Sequence, residues 1–277
     1  MEGGDGYLPG PHRGHRTRGP GRPATPTRPG GGGPEGAAVK RARAREWTRE
    51  FHRRLLPQAP DGYQAYNRLL EELCPRGGKV VDLGCGEEDY LSFLLDRAEV
   101  VGVDRRAGGG SYHAYLQADL EDGLPLDPGS VDLAACKFLL EHLRHPGRLL
   151  RAVHEALRPG GCLVVMTPNV LYYPYALNLL LSRLLPQSLR MRMVSLLTGR
   201  QREDIFPVRY PCNTPRRLRK ELEESGFRVL HLGTYPDYLV SAVCLPAGAL
   251  AVLYEWVANK LDMKWAGGFL VAAARRE

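Results

Sequence analysis

Short apolar runs alternate with amphipathic segments along most of the chain after residue 76. The runs are rich in Val, Leu and Ala, as is typical of strands that are buried on both faces. They predict seven strands, at residues 79–83, 99–103, 114–117, 131–136, 162–167, 227–232 and 268–274. Helical patterns, ended by Pro or Gly, predict helices at residues 89–96, 146–157 and 214–226. This alternation predicts an α/β fold in which helices cover both faces of a mostly parallel sheet.

Two helices and a tail are predicted before the first strand. Residues 39–56 form a basic amphipathic pattern, with Trp47, Phe51 and Leu55 spaced about one turn apart, and residues 63–73 predict a second helix. The preceding residues are dominated by Gly, Pro and Arg, cannot bury a core, and lack the apolar segment of a secretory signal. The expected organisation is a disordered tail at 1–38, basic and capping helices at 39–75, and one domain at 76–277.

The positive charge of the chain is confined to its N-terminal part. Residues 1–56 carry 12 Lys or Arg and 5 Asp or Glu, which accounts for the whole net charge of +7, whereas residues 57–277 carry 26 of each sign. Nucleic acid is therefore not the expected partner, because the charge lies outside the domain and no RNA-binding module accompanies it.

Six cysteines are spread along the chain without a Cys-x-x-Cys pair or a zinc-like cluster. Most of them lie in apolar, strand-like sequence, which indicates reduced thiols in a core. Reduced thiols in turn favour a cytoplasmic protein.

The stretch VVDLGCGEEDY, residues 80–90, carries the strongest chemical signal. A glycine turn after the first strand of a parallel sheet is the usual position of a nucleotide crevice. The dinucleotide pattern GxGxxG fails here, because Asp89 stands where the third glycine would be, counting from Gly84. The acids also disfavour phosphate, since one carboxylate about 5 Å from a phosphate costs roughly 3 kcal/mol at an effective dielectric of about 20. A cationic ligand without phosphate, such as S-adenosylmethionine, suits the loop better.

Residues 76–170 resemble the core of a class I S-adenosylmethionine-dependent methyltransferase of the small-molecule group. The resemblance rests on six segments in family order: VVDLGCG at 80–86, VVGVD at 100–104, QADLEDGLPLDPGSVDLAAC at 117–136, FLLEHLRHPGRLLRAVHEALRPGG at 138–161, CLVVMTPN at 162–169 and NTPRRLRKELEESGFRVL at 213–230. It implies a seven-stranded Rossmann-like sheet with a helical lid, S-adenosylmethionine as the cofactor, and lid insertions at about 171–210 and 236–266.

The resemblance also implies roles for single residues. The positions that match the cofactor motifs are Asp82, Gly84, Cys85 and Gly86 on the methionine side, Asp104 at the ribose, Asp119 and Leu120 at the adenine, and Lys137 with Phe138 on the floor. One carboxylate can accept both ribose hydroxyls. His142 is the candidate general base, although it could equally be a packing residue, because positioning alone can supply much of the rate.

Two departures from the family pattern concern the cofactor and a metal. Glu88 stands where the first motif usually has a third glycine, which would weaken cofactor binding; alternatively, the acids at 87–89 lie in a first helical turn and complement its dipole. Phe138 replaces the first acid of the Glu-x-x-Glu-His motif of the ubiquinone-pathway O-methyltransferases, leaving Glu141 and His142. One Glu beside one His is a poor divalent site, so no catalytic metal is predicted.

The two insertions contain unusually apolar sequence. Residues 175–197 place leucines on most helical faces with arginines between them, and residues 239–254 hold no charge but are too short to span a membrane. They predict either a packed lid or an apolar entrance resting on a membrane, with the basic helix at 40–54 on anionic headgroups. Tyr172, Tyr173 and Tyr175 could form either a pocket wall or the core of the lid. A group of arginines could either bind an anionic substrate or form a solvated helix face, namely Arg183, Arg190, Arg192, Arg200, Arg202 and Arg209.

These inferences predict an enzyme that transfers a methyl group from S-adenosylmethionine to a small or lipid-like metabolite by SN2 displacement. It would be cytoplasmic, with peripheral contact to a membrane as a further expectation. Two other classes stay open. One is an RNA methyltransferase that uses the basic arm, and the other is a non-catalytic partner protein in which Glu88 has ended cofactor binding.

Overall fold

The strand pattern predicted from the apolar runs is present in the structure, a computed structural model that describes residues 34–57, 61–87, 89–106, 110–186, 189 and 208–277. The strands are β1 (Lys79–Leu83), β2 (Glu99–Asp104), β3 (Ala114–Gln117), β4 (Val131–Lys137), β5 (Leu157–Pro168), β6 (Phe227–Tyr235) and β7 (Phe269–Arg276). The described α-helices are α1 (Pro34–Leu55), α2 (Gly62–Leu73), α3 (Pro146–Ala156), α4 (Tyr173–Leu184), α5 (Pro215–Glu224) and α6 (Leu245–Lys260).

The strands form one seven-stranded sheet in the order β3-β2-β1-β4-β5-β7-β6. Neighbouring strands are parallel except at β7, which runs antiparallel to both β5 and β6. The predicted Rossmann-like, mostly parallel sheet is therefore confirmed. The order of the strands reverses between β1 and β4, and ligands of such sheets bind outside the carboxyl ends of the strands at this point.

Hydrophobic layers cover both faces of the sheet. Leu149 of α3 and Leu218 of α5 share one buried cluster with Val81 of β1. Leu70 of α2 shares the other cluster with Val80 of the same strand. Because successive residues of a strand point to opposite faces, this one apolar run serves both layers and leaves the strand ends to form the site.

The helices begin at residues that suit a helix start. Asp61 precedes α2, and its Oδ1 accepts the backbone N–H of Gln64 at 2.7 Å. Thr214 precedes α5 and accepts the N–H of Arg217 through its hydroxyl oxygen at 3.2 Å. Such caps satisfy N–H groups that have no partner inside the helix.

The helix predicted at residues 89–96 is wrong. Apart from residue 88, which is outside the described residues, this segment forms turns and a short 3₁₀ helix at Ser92–Leu94. The backbone N–H of Leu91 donates to the hydroxyl of Tyr112 at 2.8 Å. A side chain from just before β3 thus satisfies this backbone group and ties the two segments together.

Strand β5 begins earlier than the pattern predicts. Leu157 already pairs with Val131, and the register shifts before the regular pairing that starts at Cys162. Gly160 lies inside this irregularity with a φ of 81°, a conformation that favours glycine. The Pro-Gly-Gly segment that was expected to close α3 is therefore part of the strand.

Helix α1 differs from its prediction in both its start and its buried face. It begins at Pro34, ahead of the start expected at residue 39, while residues 1–33 lie outside the described residues. Its buried side chains are Ala44, Thr48 and His52, whereas Trp47 of the expected apolar stripe is 42% exposed. The small Thr48 lies against Gly248 of α6, where an added Cβ would collide with its hydroxyl. Close helix packing therefore selects the face with the smaller side chains.

The apolar insertions contribute α4 and α6, which contact each other as the expected helical lid. The ring centroid of Tyr254 on α6 lies 5.5 Å from that of Tyr172 and 5.0 Å from that of Tyr173. Tyr172 is fully buried, and the hydroxyl of Tyr175 donates to the carboxylate of Asp237 after β6. These tyrosines hold the lid together, which favours their interpretation as lid core.

Candidate active site

Two glycines shape the turn that follows β1. Gly84 and Gly86 have φ angles of 72° and 61°, and residues that carry a Cβ rarely adopt such positive values. The backbone N–H of Gly84 donates to the carbonyl of Val103 at 2.8 Å, so the turn is held against β2. A Cβ added to Gly86 would meet no atom within 4 Å. The predicted glycine loop therefore leaves open space beside its backbone.

Asp104 ends β2 next to this loop. Its Oδ2 accepts the backbone N–H of Gly86 at 3.0 Å, and its Oδ1 accepts the N–H of Arg106 at 2.9 Å. Each carboxylate oxygen can accept a further hydrogen bond. The structure thus brings together Gly86 and Asp104, two of the residues predicted for the cofactor, and orients the carboxylate through backbone donors.

Asp82 lies beneath the loop rather than at its surface. It is 4% exposed and accepts a 2.8 Å hydrogen bond from the hydroxyl of Tyr112. Burial raises the pKa of Asp82 to about 6, while the Tyr112 bond and the charge of Lys137 oppose the rise. Tyr112 was not a predicted site residue, and its only sequence signal is a position just before β3. It connects Asp82 to the segment that follows the loop.

Asp89 is held by side chains and backbone from the region before β3. Its carboxylate accepts the backbone N–H and hydroxyl of Ser111 at 2.7 and 2.9 Å, and the hydroxyl of Tyr115 at 2.8 Å. These bonds lower the pKa of Asp89, with the N–H of Ser111 contributing most. Asp89 therefore fixes two chain segments to each other.

Glu87, the other described acid of the loop, does not begin a helix. Glu87 is exposed, and its carboxylate lies 4.0 Å from the guanidinium of Arg106. Glu88 lies outside the described residues. The hypothesis that these acids complement a helix dipole is wrong, because the described residues that follow form turns and the short 3₁₀ helix.

Three other predicted cofactor residues take different positions. Cys85 points into the core, where its sulfur would lie 2.8 Å from a Cβ on Gly102, and burial raises the pKa of its thiol to about 12. Asp119 is exposed, and its Oδ1 accepts the N–H of Glu121 at 2.9 Å. Leu120 is buried in the layer on the α3 face. Cys85 can therefore offer a ligand only its backbone.

Lys137 ends β4 among aromatic rings. Its ammonium nitrogen lies 2.6 Å from the ring centroid of Tyr90 and 5.9 Å from that of Tyr63 on α2. The next residue, Phe138, has a φ of 53°, and its ring centroid lies 6.0 Å from that of Tyr63. The carboxyl end of β4 thus places a cation and three rings at the same sheet edge as the glycine loop.

Glu141 and His142 lie in the turn after β4 with different accessibility. His142 is half-buried, and its backbone N–H donates to the carbonyl of Leu139 at 3.0 Å. Glu141 is 2% exposed and accepts the hydroxyl of Thr167 at 3.0 Å, and that hydroxyl accepts the amide of Asn213 at 2.6 Å. Burial raises the pKa of Glu141 to about 7. Glu141 therefore belongs to an interior network rather than to an open ligand site.

Among the described residues, no group of three or more His, Cys, Asp or Glu side chains is arranged to hold a metal ion. Arg209, a candidate anion ligand, is exposed, and its backbone N–H donates to the carbonyl of Glu141 at 2.7 Å. The positions outside the described side chains are Arg183, Arg190, Arg192, Arg200 and Arg202.

A cavity of about 660 Å³ lies at the other end of the same sheet edge. It is lined by the ends of α1, β6 and α6, including Leu56, Tyr235, Glu255, Trp256 and Met263. None of the predicted cofactor residues lines it. The candidate site is therefore defined by the glycine loop and the strand ends, not by this cavity.

A seven-stranded sheet of this order, with a glycine turn after β1 and an acid ending β2, defines a class I S-adenosylmethionine-dependent methyltransferase. The chain also matches a family model described as a methyltransferase domain over residues 45–232. It belongs to that family, and its cofactor is S-adenosylmethionine. The residues present fit this cofactor, because the open backbone at Gly86 lies next to a carboxylate, Asp104, that can accept more hydrogen bonds.

The curated relatives align with only part of this chain. The chain is 31% identical over 107 residues to the ubiquinone biosynthesis O-methyltransferase of Pseudomonas aeruginosa (strain LESB58), covering 34% of this chain and 45% of the relative. It is 33% identical over 128 residues to the protein of that name from Xanthomonas campestris pv. campestris (strain B100), covering 40% and 53%. The chain thus spans about half the length of the curated relatives it matches.

One solved structure supports the fold. A crystal structure of an S-adenosylmethionine-dependent methyltransferase from Archaeoglobus fulgidus matches with a TM-score of 0.51 at 18% identity. The match covers 76% of this chain and 92% of that chain. Likeness at this identity concerns the fold alone.

Proposed function

We propose that this methyltransferase acts on a small or lipid-like metabolite by in-line displacement. The observation that carries the acceptor class is the apolar character of α4 and α6, which follow β5 and β6 at the sheet edge of the site and expose several leucines. An apolar acceptor is favoured at such a surface because burial removes it from water. The relatives are named for O-methylation in ubiquinone biosynthesis, which favours an oxygen as the accepting atom.

The cofactor roles assigned by the family motifs form part of this proposal. Bound S-adenosylmethionine supplies a methyl group that its sulfonium charge already activates. Asp104 accepts the ribose hydroxyls, Gly84 shapes the turn, and the open backbone at Gly86 leaves room for the cofactor. Lys137 lines the floor beside the acceptor, and Asp82 supports the methionine side from beneath the loop. Asp119 with Leu120 holds the adenine.

His142 is proposed as the general base that takes the proton from the acceptor hydroxyl. It is half-buried in the turn after β4, at the sheet edge that carries the glycine loop. His142→Asn should lower kcat with little change in cofactor affinity, because it removes the proton acceptor. An unchanged kcat would show that positioning alone suffices.

The proposal includes a cytoplasmic location and peripheral contact with a membrane. Free thiols support a reducing compartment. A lipid-like acceptor would reside in a bilayer, so the enzyme has to reach a membrane surface to meet it.

Transfer of labelled methyl groups into fractionated cell extract tests the proposal. The protein is incubated with methyl-labelled S-adenosylmethionine and with lipid, polar small-molecule and RNA fractions, and the Asp104→Ala variant serves as the control. Label that appears in the lipid or small-molecule fraction, and only with the parent protein, is the expected result. Label in RNA would favour an RNA methyltransferase. Cofactor binding by calorimetry with no label in any fraction would favour a non-catalytic partner protein.

A further inference from the structure

The outward faces of α4 and α6 are apolar. Of the 20 large apolar side chains that are exposed among the described residues, these two helices carry eight. Leu184 and Leu250 are 68% and 65% exposed. Seven of these side chains recur at helical spacing and are called the lid face: Tyr173, Leu177, Leu180 and Leu184 on α4, and Leu250, Leu253 and Val257 on α6. An apolar surface of this kind marks an interaction site.

The two stripes meet and are anchored from behind. Tyr173 belongs to the α4 stripe, and its ring centroid lies 5.0 Å from that of Tyr254, which borders the α6 stripe. The hydroxyl of Tyr173 also donates to Ser241 at 2.8 Å. Beneath them, Tyr175 donates to the buried carboxyl group of Asp237. Polar bonds therefore hold both helices in place while their leucines point outward.

Among the described side chains of the two helices, the ionisable groups lie behind the lid face or at its end. Helix α6 contains two ionisable side chains other than Tyr254, of which Glu255 is buried and Lys260 lies in the last turn. Helix α1 packs against α6 at Gly248 and carries seven Lys or Arg and two Glu between residues 40 and 54. A helix is about 10 Å wide and the Debye length at physiological salt is about 8 Å, so these cations act near the same surface.

The chemistry of the lid face selects its partner. Protein interfaces draw their binding energy mainly from Trp, Tyr and Arg, with Leu and Val under-represented, whereas the lid face is almost entirely Leu and Val. Aliphatic side chains backed by cations suit acyl chains beneath anionic headgroups. Among the described helices, none has the length and apolarity to cross a bilayer.

We infer that the lid face docks on the surface of an anionic phospholipid bilayer. Its leucines would enter the boundary between headgroups and acyl chains, and the cations of α1 would lie near the headgroups. The inference rests on the proposed function, because a lipid-like acceptor would then reach the sheet edge directly from the bilayer.

Vesicle flotation tests the docking surface without cofactor or acceptor, so its outcome is independent of methyl transfer. The full chain is mixed with phosphatidylcholine vesicles, with or without phosphatidylglycerol, at low and raised salt. The test variant combines Leu250→Glu and Leu253→Glu. Leu230→Glu, the same change at an exposed leucine of β6, is the matched control. Melting temperature and affinity for S-adenosylhomocysteine check that each variant is folded.

The parent and the Leu230→Glu control should float with anionic vesicles, less at raised salt. The double variant should bind at least about tenfold more weakly, since two inserted leucines become charged. Three results would overturn the inference: a parent that never floats, a double variant that floats as well as the parent, or a vesicle-free dimer in sedimentation velocity that the double variant dissociates. The second would assign binding to the cations alone, and the third would show that another copy of the chain covers the lid face.

Discussion

Replacing Asp104 with alanine is the most direct test of the cofactor site. In the structure, each oxygen of this carboxylate accepts one backbone N–H, from Gly86 and Arg106, and each can accept another donor. Alanine removes the charged group that we propose as the acceptor for two ribose hydroxyls. Hydrogen bonds to charged groups are worth about 1.5–3 kcal/mol, so the Kd for S-adenosylmethionine should rise roughly 10- to 150-fold.

Isothermal titration measures the change in Kd for S-adenosylmethionine, the substrate form of the cofactor, and for S-adenosylhomocysteine, its product form. Asp104→Asn keeps the size and one carbonyl acceptor, so its Kd should fall between those of the parent and the alanine variant. Asp96→Ala removes an exposed acid from the turn before β2 and should leave the Kd unchanged. If the folded Asp104→Ala and Asp96→Ala variants bind equally well, Asp104 does not hold the ribose.

Three further changes test the buried acids and the tail. Glu141→Gln should stabilise the protein by about 2–3 kcal/mol at about pH 8 and by less at about pH 5.5. Burial raises the pKa of Glu141 in the folded state to about 7, so its ionisation opposes folding as pH rises. Equal effects on thermal melting at both pH values would contradict this. Tyr175→Phe should cost about 1–3 kcal/mol in urea unfolding because it removes a hydrogen-bond donor from the buried Asp237, and Tyr173→Phe, an exposed change on the same helix, should cost less than half as much. Removing residues 1–33 should leave the melting temperature and cofactor Kd unchanged, since this Gly-, Pro- and Arg-rich segment has little to bury; a loss of several degrees would show that it packs on the domain.

The parts of the site that the sequence predicts are those made by local geometry. Gly84 and Gly86 have positive φ angles, and residues that need this conformation are visible in the sequence as glycines. Asp104 ends a strand whose pairing with β1 follows from the strand pattern. Strand ends of a parallel sheet meet at one edge, so the neighbours of the glycine loop could be named without a structure.

The parts that could not be predicted depend on contacts between distant segments. Asp82 is bonded by Tyr112, thirty residues further along the chain, and Asp89 by Ser111 and Tyr115. No spacing rule connects these positions, because the described residues between β2 and β3, 105–106 and 110–113, form bends rather than regular structure.

Helix α1 shows a second limit of pattern analysis. Apolar spacing selected Trp47, Phe51 and Leu55 as the inner face, yet Thr48 is the residue buried against α6. The choice depends on Gly248, which lies two hundred residues away and lets the helices approach closely. A helix with several half-apolar faces is oriented by its partner, and hydrophobic periodicity alone does not contain that information.

The acids around the glycine loop carry a surplus of negative charge, and the described ones differ in the hydrogen bonds that they make within the chain. Asp82 is buried and receives the hydroxyl of Tyr112, which leaves it little contact with a ligand. Asp89 accepts three hydrogen bonds from its own chain, and Glu87 faces solvent. Asp104 differs because both of its oxygens are oriented only by backbone N–H groups at the mouth of the loop. A carboxylate held rigidly from two sides, with acceptor capacity left over, binds neighbouring hydroxyls without a further loss of side-chain entropy. We therefore propose that Asp104, among the described acids around the loop, meets the hydroxyls of the cofactor, while the summed negative charge favours its sulfonium and ammonium groups.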